Sequence, residues 1–274
     1  MHKILFSIVL TLCTFSTLVF SEETDKTSNK RQRTNAVDRK LHKQCIYPTV
    51  KITDGDEAGG SGVVVRSTQV GDKWHNTIVT AAHVVEDEDA LEVHVAEYQN
   101  WSEIKDYKKH RMVPYALDSN RDLAIGYFVS EQKMPVAKIC FDSKLYINTE
   151  VFHCGYALLD DVRIDYGQIT QPKTLFPKGF QGLIRANCFA FLGDSGGPLF
   201  LTDNYKVIAI CVGLRSHKQM LLPNVSYYRP ISDLKTWDTE LNNVLESVYT
   251  ESAALPLLPF VKLKLKDYEY QLPE

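Results

Sequence analysis

The chain has 274 residues, of which 44% are hydrophobic and 24% charged, with a formal net charge of −3. That describes an ordinary globular protein, long enough for one large core or two smaller ones. No long basic surface run points to nucleic acid as a substrate.

Residues 1–21 open with His2 and Lys3, continue as an apolar run, and place Val19 and Ser21 for cleavage before Glu22. This is the pattern of a secretory signal. Ser7, Thr11, Thr14, Ser16 and Thr17 interrupt the run and argue against a permanent anchor, and no other stretch is apolar enough to span a bilayer. A secreted protein, off the membrane once the signal is removed, is expected. Residues 22–44 carry Lys26, Lys30, Arg31, Arg33, Arg39, Lys40 and Lys43 with scarcely an apolar residue, which predicts a flexible leader or pro-segment.

From Cys45 the texture changes to short β-branched runs between turn residues, at 49–52, 62–65, 77–80, 91–95 and 123–128. It returns after Cys140, at 150–152, 162–169, 199–201 and 207–212. Such spacing predicts an all-β fold of two similar halves, about 45–140 and 141–230. Residues 231–248 read as a C-terminal α-helix, with Leu234, Trp237, Leu241, Val244, Leu245 and Val248 on one face and Ser232 as N-cap. In the tail, 249–274, the alternation Val261-Lys262-Leu263-Lys264-Leu265-Lys266 reads as an amphipathic edge strand or, alternatively, a basic partner-binding strip.

Beyond Cys13 of the signal, five cysteines remain, Cys45, Cys140, Cys154, Cys188 and Cys211. An odd number leaves at least one thiol outside any intramolecular bridge. Asn100-Trp101-Ser102 and Asn224-Val225-Ser226 are glycosylation sequons. The eight histidines are scattered and no His-Glu-x-x-His occurs, so neither metal nor cofactor is expected. The acidic run 86–89 reads as a solvated loop.

Gly193-Asp194-Ser195-Gly196-Gly197-Pro198 places one hydroxyl among glycines that permit positive φ and leave room for a substrate backbone. A phosphate cradle would need a Lys after the glycines, and none is present. Ser195 reads as a nucleophile, with the N–H groups of Gly193 and Ser195 directed at a developing oxyanion. A serine requires a base and a group that orients the base. His83, in Thr80-Ala81-Ala82-His83-Val84-Val85, follows an apolar run, and Asp122 opens Asp122-Leu123-Ala124-Ile125. A carboxylate at the mouth of an apolar strand is costly unless bonded, and an imidazole Nδ1–H would satisfy it while freeing Nε2 for the serine proton. Asp118 is the rival acid, but Ser119-Asn120-Arg121 after it suggests a turn.

These three segments, in the order His83, Asp122, Ser195, resemble the chymotrypsin-like serine proteases, a different order from subtilisins and α/β-hydrolases. Pro223-Asn224-Val225, Tyr228-Arg229-Pro230-Ile231 and Trp237 are similar to that family's last strand and closing helix, so the resemblance covers 45–248. It implies two six-stranded antiparallel β-barrels with the triad in the cleft between them, His83 and Asp122 from the first and Ser195 from the second, acting on protein or peptide substrates. Gly59-Gly60-Ser61-Gly62 and His83-Val84-Val85 look more like the high-temperature-requirement and glutamyl endopeptidase branches. No Ile-Val-Gly-Gly occurs at the expected start of the first barrel, although Asp194 stands where a new N-terminal amine would be received. By the same resemblance Cys45 and Cys140 form a bridge, Phe189 is the floor of the primary pocket, and Val212, Gly213 and Leu214 are its walls. That implies a preference for small or medium apolar residues on the acyl side. The rival is an acid-specific pocket using Arg215, His217 and Lys218.

The expected function is a secreted serine endopeptidase working through an acyl-enzyme. A catalytically silent homologue that binds a partner through the cleft would be recognised by a lost triad residue, and none is lost. A chaperone-protease would need more chain than the 26 residues after the helix. No feature specifies an oligomeric state.

Overall fold

The computed structural model describes residues 39–55, 58–86, 90–175, 182–217 and 220–235. The expected signal, most of the leader, the tail and the stretch 236–248 of the expected helix lie outside these residues, as do the acidic residues 87–89.

Six strands close the first barrel: β1 (Thr49–Thr53), β2 (Gly59–Val70), β3 (Lys73–Thr80), β4 (Leu91–Tyr98), β5 (Ile104–Asp118) and β6 (Leu123–Ser130). Around the barrel they run β1-β2-β3-β6-β5-β4, with β4 returning to β1. A short β7 (Lys138–Ile139) follows and pairs in parallel with β12. The second barrel is built from β8 (Glu150–Gly155), β9 (Arg163–Gln171), β10 (Ile184–Ala186), β11 (Pro198–Leu201), β12 (Lys206–His217) and β13 (Met220–Pro230). Its order, β8-β9-β10-β13-β12-β11 with β11 closing on β8, repeats that of the first barrel. The fold is thus all-β, with two closed six-stranded antiparallel barrels.

Three apolar clusters hold it together. Val50, Ile52, Val64, Ile78, Val93 and Phe128 fill the first barrel, and Val151, Ile169, Ile184, Leu199, Ile208 and Tyr228 fill the second. Between the barrels Val63, Val79, Leu123 and Ile125 meet Phe152, Phe200, Val207 and Ile210. Each such side chain taken fully from water contributes about 1.5–3 kcal/mol. Leu41 and the π-helical turn His42–Ile46 pack on this seam, so the buried chain starts a few residues before the expected boundary at 45.

Two expectations are corrected. Residues Ile231–Leu234 form a 3-10 turn, not the first turn of an α-helix; its Ile231 and Leu234 are buried on the seam. The longest described helical segment is His42–Ile46, on the N-terminal side. The Cys45–Cys140 bridge is not made: all five cysteines among the described residues are thiols. Cys45 is buried on the seam with its Sγ facing the Tyr205 carbonyl at 4.0 Å, whereas Cys140 packs at the edge of the second-barrel core.

Candidate active site

Antiparallel pairing brings His83 and Asp122 together. β3 and β6 run side by side from Trp74↔Ser130 to Thr80↔Ala124, so the chain leaving β3 and the chain entering β6 emerge at the same end. His83 lies in the 3-10 turn Ala82–Val84, whose Ala82 and Val84 are buried in the first-barrel core. Asp122 precedes β6 with φ +53°, a left-handed conformation that Asp tolerates better than most residues. Its Oδ1 accepts the His83 backbone N–H at 3.0 Å, and both carboxylate oxygens lie within 2.9 Å of Nδ1. The ring is therefore held through Nδ1, and Nε2 is left toward solvent with the side chain 46% exposed. Asp118 instead accepts the Arg121 N–H at 3.0 Å, closing a turn.

Ser195 sits in the loop from β10 to β11, built of two successive turns. Asp194 N–H bonds to Phe191 O and Gly197 N–H to Asp194 O, and the third residue of each turn, Gly193 at φ +92° and Gly196 at φ +86°, takes the left-handed conformation that favours glycine. Gly196 N–H goes to Cys211 O, and Phe191 N–H to the Asp194 carboxylate. Among the described residues the N–H groups of Leu192, Gly193 and Ser195 in this turn donate to nothing, while those of Phe191, Asp194, Gly196 and Gly197 are engaged. The Leu192 carbonyl accepts the Leu158 N–H at 2.6 Å. Since C=O and N–H of one peptide point in opposite directions, the Gly193 N–H is turned away from Leu158.

Ser61 welds this loop to the first barrel. Its N–H donates to Ser195 O at 2.7 Å, its Oγ donates to Gly193 O at 2.8 Å and accepts Tyr156 N–H at 2.9 Å, and its carbonyl accepts Thr80 Oγ1 at 2.7 Å. The approach is so close that a Cβ on Gly60 would lie 2.5 Å from Ser195 O and 2.7 Å from Val84 Cγ2, beside His83. Ser195 is thus brought to the His83 turn by backbone contacts. No hydrogen bond joins Ser195 Oγ to His83 Nε2 among the described residues; such bonds tighten when substrate docks.

The loop 156–160 that meets Leu192 is strained, with Leu158 and Leu159 both at positive φ, +56° and +58°. Lys51 of β1 restrains it, donating to Leu159 O at 3.0 Å while its ammonium sits 4.5 Å above the Tyr107 ring. Burial lowers the Lys51 pKa, against the pull of Asp161 and Asp160. Tyr107 in turn donates to Asp161 at 2.8 Å.

The residues expected to form one pocket are not all gathered. Cys188 and Ala190 alternate into the second-barrel core, which Leu214 also joins, while Val212 packs against the first-barrel core. Phe189 points the other way, 36% exposed, stacked near Phe191 and 4.6 Å below the Arg163 guanidinium. Gly213 pairs with Tyr227 where the register of β12 shifts. The side chains of Arg215, His217 and Lys218 lie outside what is described. Among the described residues, no three His, Cys, Asp or Glu side chains are grouped to hold a metal ion.

Sequence reasoning passed over Ser61, Lys51, Leu158, His153 and Arg163. Of these Arg163 left a trace: with Asp165 it puts two opposite charges on one face of a strand whose neighbours Val162 and Ile164 are apolar.

A family model described as a trypsin-like peptidase domain matches residues 60–210, more than half of the chain. No curated protein matches the sequence. Among solved structures, the chain is similar to the MamO protease domain from Magnetospirillum magneticum in its apo form, at 15% identity and TM-score 0.56. That match covers 71% of this chain and 95% of the other, and at this identity it speaks for the fold.

Proposed function

The chain belongs to the family of trypsin-like peptidase domains, and from that premise we propose that it is a secreted serine endopeptidase hydrolysing peptide bonds through Ser195, His83 and Asp122. The carrying observation is the pair of unspent N–H groups at Gly193 and Ser195, with the Asp194 N–H between them and the Gly196 and Gly197 N–H groups after them engaged. In a two-turn loop welded to the neighbouring barrel, two adjacent donors left unpaired are an anion site of the kind an acyl-transfer transition state needs.

The chemistry follows from the parts. Ser195 Oγ attacks the scissile carbonyl as His83 Nε2 takes its proton, and Asp122, bonded at Nδ1, holds the tautomer and stabilises the imidazolium. The carbonyl oxygen gains negative charge against the Gly193 and Ser195 N–H groups. His83 then returns the proton to the leaving amine, giving an acyl-enzyme that water hydrolyses by the same steps in reverse order of roles.

For substrate preference we rely on the partly buried Val212 and Leu214 on either side of Gly213, apolar side chains suited to a small or medium apolar residue on the acyl side. Each fitting methylene adds about 1–3 kcal/mol of discrimination, so the preference is graded. Phe189, turned away under Arg163, is left out of this pocket. Residues 1–21 direct export.

A fluorophosphonate probe tests the mechanism: the wild type takes label and Ser195→Ala does not. Equal labelling of both would overturn it. A peptide library cleaved chiefly after Glu, Lys or Arg would overturn the apolar pocket, and N-terminal sequencing that finds no cut near Ser21 would remove the export reading.

A further inference from the structure

Behind the nucleophile loop lies a group of charges that the steps above do not use. Asp194 is wholly buried, and a buried carboxylate must be paired and hydrogen-bonded. Its Oδ2 accepts Arg163 Nη2 at 2.8 Å and the Phe191 N–H at 2.8 Å. On the other side His153 Nε2 stands 3.3 Å from Oδ1, close but without hydrogen-bond alignment. The β8–β9 register supplies both partners, setting Gly155 opposite Arg163 and His153 opposite Asp165. Gly155 leaves the room: a Cβ there would press on Asp194 Oδ1 and lie 2.7 Å from His153 Nε2. Arg163 is itself held, over the Phe189 ring at 4.6 Å and with Nε 3.3 Å from Asp165 Oδ2.

We infer that Arg163 is a built-in positioning residue: by pairing Asp194 from inside the fold it holds the loop 191–195 with the Gly193 and Ser195 N–H groups set for the oxyanion, so the site forms without an incoming N-terminal amine. The inference rests on the serine peptidase reading and adds how that site is kept assembled. Asp194 lies between the two donors, and its N–H, carbonyl and carboxylate are each committed to one of the two turns. Without the guanidinium, the carboxylate loses its charged hydrogen-bond donor while still shielded from water. Turning Asp194 outward relieves that cost and takes both turns with it. Arg163 touches neither Ser195 nor the cleft face of the donors, so it acts through Asp194.

The test uses the full chain with Arg163→Met and Arg163→Lys. Arg163→Met is expected to lower kcat about a hundredfold, the loss typical of a missing oxyanion donor, with KM nearly unchanged. Arg163→Lys, which keeps the charge but not the fork, recovers about tenfold of that loss. Wild-type chain whose intact mass shows no cut between Glu22 and Gly60 takes the fluorophosphonate label. Wild-type kcat in Arg163→Met, or label that appears only after such a cut, overturns the inference. Should the wild type neither label nor hydrolyse, the peptidase reading fails by itself. The pairing is then read from unfolding of Arg163→Met, Asp194→Asn and the double variant. Non-additivity of about tenfold in the unfolding constant supports the inference, and additivity overturns it.

Discussion

The two barrels share one strand order but prepare their contributions to the site in different ways. The first offers His83 and Asp122 at the open end of a paired β3 and β6, above the apolar first-barrel core, with the acid bonded to both the ring and the N–H of its partner. The second offers Ser195 from a loop between strands and keeps that loop in place with the buried Asp194, Arg163 and the neighbouring His153. Side chains placed by strand ends inherit the rigidity of the ladder. Backbone donors placed by a loop need charge and glycine to define their direction.

The largest effect should come from breaking the pair across the barrels. Ser195→Ala or His83→Ala is expected to lower kcat by several orders of magnitude, and the double variant by little more, since the two act as a unit. Peptide hydrolysis measures it, and additive losses would separate the barrels' roles. Next, Asp122→Asn should cost about four orders of magnitude in kcat by leaving the wrong imidazole tautomer. Its thermal unfolding midpoint should move little, because the carboxylate is partly exposed.

The loop side is expected to respond in stability as well as rate. Asp194→Asn breaks a buried pair and should lower stability by about 3 kcal/mol at neutral pH, read by denaturant unfolding. It should also change the acid limb of the pH profile. Burial by itself would raise the Asp194 pKa, but His153, Arg163 and the Phe191 N–H outweigh it and hold the carboxyl below its usual range. A carboxyl depressed on folding adds stability above its unfolded pKa, and that stability is lost as pH falls through the folded value. The wild-type midpoint should therefore drop in that acid window, and Asp194→Asn should flatten the drop. Asp165, facing the same cluster, has its pKa raised by burial and works with the opposite sign. An acid limb unchanged by Asp194→Asn would remove Asp194 as its source.

The smallest effect belongs to Asp118→Asn. It loosens the turn closed by the Arg121 N–H and the ion pair with Arg121, and should cost about 1 kcal/mol with kcat unchanged. A fall in kcat like that of Asp122→Asn would mean that the two acids share the orienting role.

Legibility in the sequence followed burial. β3, β6, β8 and β12 are apolar enough to read directly, and with them the all-β, two-part fold. β5 was not legible: Lys105, Asp106, Lys108, Lys109 and Arg111 face solvent, and the segment is a strand because β4 pairs with it through Met112, before β6 takes up the pairing from Val113. The stretch 231–248 has the apolar periodicity expected of a helix, yet its first described turn is 3-10, since Ile231 and Leu234 are drawn onto the seam between the barrels. A pairing of Cys45 with Cys140 drew on resemblance, and packing placed the two thiols in different surroundings.

What the sequence determined by itself was chemistry that depends on residue type: a serine among glycines, a histidine after an apolar run and an acid before one, with hydrophobic spacing that makes strands. What only the tertiary structure decided was direction and pairing. That Leu158 pins the 192–193 peptide, that Ser61 joins the barrels beside Ser195, that Phe189 lies under the Arg163 guanidinium, and that Arg163 meets Asp194 are contacts between residues far apart along the chain. No local pattern encodes such contacts. They arise because two closed barrels leave each buried polar group few partners within reach, and the cost of leaving one unpaired selects among them.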